Sequence, residues 1–162
     1  MQDLRWDDVG WWFDPESWGA LPDGHVRATS TAAWQAFLDL IRSQGWAFEY
    51  SVDGDVEALP DRAEQMFDRP EDHSVMVQVR PVPDVLVNVF IWDSSEINFD
   101  VDVRELQGQE QIDVLCDFFR HVGRSVGKPV VLAPEGMPDT PVLVYEPDHD
   151  RIVWLAQRAV WT

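Results

Sequence analysis

A chain of 162 residues that is 45% apolar is long enough to bury one sizeable core and too apolar to be disordered. Its 30 Asp and Glu against 12 Lys and Arg leave a net charge of −18, which makes nucleic acid and anionic membrane surfaces poor partners and a basic protein a good one. The single cysteine, Cys116, excludes an internal disulfide and a cysteine-rich zinc site, and no apolar run nears the ~20 residues of a membrane span.

Residues 1–28 read as an irregular segment, with turn signals at Asp14-Pro15, Leu21-Pro22 and Asp23-Gly24. Its first residues lack the basic and apolar regions of a secretory signal, so a cytoplasmic protein is expected. Four of the nine tryptophans (Trp6, Trp11, Trp12 and Trp18) fall here. Such rings serve either as core packing or as interface anchors, and Trp11 and Trp12 are candidates for the second use.

Ser30 or Thr31 then caps a helix whose Trp34, Phe37, Leu38 and Ile41 share one face, and Gly45 stops it. Trp46, Phe48, Tyr50 and Val52 alternate with smaller or polar residues, the period of a half-buried strand. Asp53-Gly54 is a turn, and Pro60 opens a short helix through Met66 and Phe67. Three strand-like runs follow, Ser74–Arg80, Val85–Trp92 and Ile97–Val103. Glu110 and Asp113 early, Arg120 and Arg124 late, and the stripe Ile112, Leu115, Cys116, Phe119 and Val122 mark a second helix over 109–125. Lys128–Ala133, Val142–Tyr145 and Arg151–Leu155 close the chain as strands. The expected fold is α+β in a single domain spanning 1–162. Its sheet is mostly antiparallel, with a mixed one as the alternative, and two or three helices pack on one face.

Simple hairpin registers, with Val79 opposite Leu86 and Trp92 opposite Ile97, put Val75, Val77, Val79, Leu86, Phe90 and Trp92 on the core face, interrupted only by Asn88. The other face then presents Val87, Val89 and Ile91 between Met76 on one side and Asn98, Asp100 and Asp102 on the other. An apolar stripe beside carboxylates is the pattern of an interface core with a charged rim. The alternative is that the protein's own termini cover it, and a slip of one residue would exchange the two faces.

No catalytic motif stands out, so no catalytic residue, metal ligand or cofactor is expected. Cys116 and His121 lie five residues apart on one helix, which leaves their side chains about 140° apart and unable to act as a nucleophile–base pair. Asp100 and Asp102 are too few oxygen ligands for a hard cation, and the acidic run Glu146–Asp150 lacks the glycine and glutamate of a calcium loop. Glu135-Gly136-Met137-Pro138 lies in a proline-stiffened loop.

In size, acidity, aromatic content and a sheet carrying Asn98, Asp100 and Asp102, the chain resembles bacterial toxin-immunity proteins. The resemblance implies a non-catalytic protein that masks a basic partner such as a toxin, and it transfers no functional residue. The alternatives are a homodimeric chaperone-like or scaffolding module, an enzyme with a dispersed site, and acidity that reflects genome composition or a saline host.

Overall fold

The computed structural model describes residues 3–69 and 72–158. A short helix α1 (Trp6–Val9) and a 3-10 turn (Gly10–Phe13) precede strand β1 (Asp23–Arg27). Helix α2 (Thr31–Gln44) starts where the Ser30 side chain accepts a hydrogen bond from the Ala33 N–H, and ends at Gly45 with φ of 68°. Strands β2 (Ala47–Val52) and β3 (Asp55–Glu57) form a hairpin over Asp53-Gly54. A 3-10 turn (Ala63–Met66) stands where Pro60 was expected to open a helix. Then come β4 (Val75–Val82), β5 (Val85–Phe90), β6 (Glu96–Val101), a 3-10 turn (Val103–Glu105), α3 (Gln109–Val126), β7 (Val130–Ala133), β8 (Leu143–Glu146) and β9 (Arg151–Trp154).

The fold is α+β. Among the described residues all nine strands join one open sheet in the order β3-β2-β4-β5-β6-β1-β7-β8-β9, and every pairing is antiparallel. Both long helices lie on one side of it. Phe118 and Phe119 of α3 meet Phe99 from β6 in T-shaped contacts at 5.7 and 5.8 Å between ring centres, and α2 packs against α3. Gly123 lets α3 come down onto Tyr145 of β8, where a Cβ would lie 2.1 Å from the ring. The N-terminal segment packs beside α3 at the β9 end, with Trp12 and Phe13 against Trp154 and the Gln109 side chain bonded to Trp6 N and Leu4 O.

Two differences from the sequence reading decide where the open side of the sheet lies. The first is β1, which runs through the supposedly irregular segment and sits between β6 and β7. Asp23-Gly24 is strand rather than turn. Gly24 is there because the Phe99 ring fills its side-chain space, and a Cβ would sit 2.0 Å from it. The second is the register of β5, in which Val79 pairs with Val87 and Val87 with Val101. The hairpin turns on Pro83-Asp84 alone, with Val82 opposite Val85, and the pairing then shifts between Val79 and Val82. A bulge at Arg80-Pro81 fits there because proline has no N–H for the ladder. The shift turns β5 over. Val87, Val89 and Ile91 are core residues, 1, 0 and 6% exposed, and Leu86, Asn88 and Phe90 face away from the helices.

Among the described residues no helix is long and apolar enough to cross a membrane.

Candidate docking face

The side of the sheet without helices keeps Met76, Asn98 and Asp100 where the sequence put them, and loses Val87, Val89 and Ile91 to the core. Leu86, Asn88 and Phe90 take their place, each half-buried. Phe90 stands between Met76 and Asn98 in register. Asn88, the misfit of the expected core face, lies in a polar row. Gln78 Nε2 donates to Asn88 Oδ1 at 3.1 Å, and Asn88 Nδ2 donates to Asp100 Oδ1 at 2.9 Å.

β1 continues that row with Asp23 opposite Asp100, and places His25 opposite Asn98 and Val131. Sequence reasoning missed both residues along with the strand that carries them. The loop after β7 reaches over β1: Gly136 N donates to Asp23 Oδ2 at 3.1 Å, and Asp139 meets Arg27 at 3.0 Å. His25 is only 6% exposed under this cover. Burial, with Arg27 adding to it, lowers the imidazole pKa, against the opposing pull of Glu96, Asp139 and Asp23. Burial also raises the Asp100 carboxyl, helped by Asp23, Glu135 and Asp102, while the Asn88 bond works the other way.

The charges of this face are unevenly matched. Arg27 is taken by Glu96 and Asp139, and Arg80 donates to the Pro83 carbonyl at 3.1 Å. Asp23, Glu49, Asp100 and Glu135 form no ion pair among the described residues. Asp102 differs from them. It lies past the end of β6, caps the next turn through Arg104 N at 2.9 Å and pairs with the Arg104 guanidinium at 2.8 Å, so its carboxylate is already used.

The two N-terminal candidates also lie elsewhere. Trp12 is 1% exposed in the core, edge-on to Phe13 and Trp154. Trp11 is half-buried beside α1, bonded to Asp8 O, with the Arg158 guanidinium 5.9 Å from its ring centre. Cys116 is buried on α3, where desolvation holds its thiol protonated, and His121 packs against Trp46 instead of turning toward it. Among the described residues no group of three or more His, Cys, Asp and Glu is placed to hold a metal ion.

No protein-family model matches the chain, and no curated protein matches it.

Proposed function

We propose that this is a non-catalytic binding protein whose helix-free sheet face docks a basic protein, in the manner of an immunity protein masking a toxin in the cytoplasm. The observation that carries the reading is the set of carboxylates without an ion pair among the described residues, Asp23, Glu49, Asp100 and Glu135, beside half-buried Leu86, Met76 and Phe90. Long-range attraction brings the partner in, and desolvation of the apolar strip holds it. A second copy of the chain fits this face less well, because a twofold contact would set the same carboxylates against one another.

The test separates the face from the overall charge. One triple variant, Asp23→Asn with Glu49→Gln and Asp100→Asn, neutralises the face. Another, Asp39→Asn with Glu110→Gln and Asp117→Asn, neutralises three exposed carboxylates on the helices. Association with a small basic nuclease is followed by stopped flow from 50 to 300 mM salt. The wild-type rate should fall by about an order of magnitude over that range, and the face variant should lose most of the salt dependence. The helix variant should behave close to wild type. Equal loss in both variants would mean that net charge alone is at work.

A further inference from the structure

Trp92 follows β5 and is 68% exposed, the most exposed of the large hydrophobic side chains in the described residues. It is not loose. Its ring stacks on Phe90 at 5.1 Å between centres and 12° between planes, so the docking face holds one side of the indole and leaves the other free. Trp92 also walls a cleft of about 410 Å³, within the size range of ligand sites. Met66, Val75 and Ile91 are nearly buried in its wall, so most of its open surface is polar, with Arg69, His73, Asp93 and Ser94 among the lining residues.

The charges around the cleft favour one kind of occupant. Arg69 is engaged by Glu57 at 2.5 Å and His73 by Asp53 at 2.5 Å. Among the described residues Asp93 meets no cation, and its carboxylate is held at the rim by Ser95 N at 2.7 Å. What remains unpaired is therefore negative, in a chain of net charge −18, which disfavours an anion. An exposed indole beside a carboxylate, in a mostly polar cleft, suits a side chain with a planar cationic end.

We propose that the cleft beside Trp92 seats an arginine side chain of the basic partner, with the guanidinium stacked on the indole and bonded to Asp93. The assignment rests on the docking reading and names the anchor within it. Arginine is preferred to lysine because its flat, weakly hydrated head stacks on a ring while still donating to a carboxylate.

The experiment uses two labelled peptides of equal length and charge, one rich in arginine and one rich in lysine, titrated by fluorescence anisotropy. Wild-type protein should bind the arginine peptide about fivefold more tightly. Trp92→Ala should bind both with the affinity wild type shows for the lysine peptide, and Trp92→Phe should keep part of the preference. The exposure of Trp92 leaves the fold intact in either variant, which a thermal melt checks. A preference that survives Trp92→Ala, or none in wild type, overturns the anchor while salt-sensitive binding of both peptides leaves the docking reading standing. Binding of neither peptide at 50 mM salt, the low end of the range above, overturns both.

Discussion

Replacing Asp100 by Asn removes one charge from the middle of the open face with almost no change of side-chain shape. In the native protein that carboxylate is half-buried, stands opposite Asp23 across the β1–β6 pairing, and has Asn88 as its hydrogen-bond donor, with no cation paired to it among the described residues. Like charges directly opposite on neighbouring strands cost about 0.2–1 kcal/mol, and desolvation adds to that, so Asp100→Asn should gain about 1 kcal/mol. For a chain of this size the melting temperature should rise by ~2–4 °C at pH 7. A folded-state pKa above the ordinary 3.8 means stability that is full below 3.8 and lost as pH rises through the folded value. The advantage of the variant should accordingly shrink as pH falls toward 3.8 and vanish well below it, where the carboxyl is protonated folded or unfolded. Circular-dichroism melts at pH 7 and pH 4 read this directly, in dilute solution because the sequence pI is near 4.2. The same variant should associate more slowly with a basic protein. A lower melting temperature at pH 7 would show that the Asn88 bond outweighs the repulsion, and would refute the view that the carboxylate is retained against the interest of the fold.

Two further perturbations test the fold around this face. Gly24→Ala should cost about 1–3 kcal/mol, lowering the melting temperature by several degrees, because the Phe99 ring that the new Cβ meets is hemmed in by Phe118 and Phe119; an unchanged melt would mean that β1 does not pair as described. The two shifted histidines should produce opposite pH slopes. His25, lowered by burial and by Arg27 against the pull of Glu96, Asp139 and Asp23, costs stability as pH falls below 6.5, so His25→Gln should flatten the acid side of the stability profile. His73, raised by its bond to Asp53, stabilises below 6.5 and loses that contribution as pH rises through its folded value, so His73→Gln should flatten the alkaline side. Urea midpoints measured from pH 5 to pH 8 decide both, and a slope that survives its own substitution refutes the assignment.

Local signals carried the reading of the helices. Ser30 and Gly45 bound α2, the stripe Ile112, Leu115, Cys116, Phe119 and Val122 is buried on α3, and Gly127 ends it with φ of 69°. The strands that were misread depend on partners far away in the chain. Gly24 looked like part of a turn because its reason, the Phe99 ring, belongs to β6. The register of β5 turned on a bulge beside Pro81, which alternation alone does not reveal. One clue was present. Asn88 sat alone among apolar neighbours on the expected core face, and turning β5 over removes that conflict. The tryptophan-rich start was ambiguous for another reason, since rings that anchor an interface and rings that fill a core have the same composition. Packing of Trp12 against Phe13 and Trp154 settles its use.

Core and open face are thus two sides of one register. As observed, Val85, Val87 and Val89 complete a core surface with Val75, Val77 and Val79, and the amides of Asn88 and Gln78 bond each other on the outside. A slip of one residue would move Asn88 inward, where an unmatched amide costs about 1–3 kcal/mol, and would carry three valines outward with the loss of their burial. It would also carry Phe90, and Trp92 with it, off the open face. The arrangement of carboxylates, half-buried apolar groups and an exposed indole on the open face is therefore held by the energetics of the core behind it. On the proposed reading a partner would meet a surface that the fold has already organised, so little further ordering would be needed for it to dock.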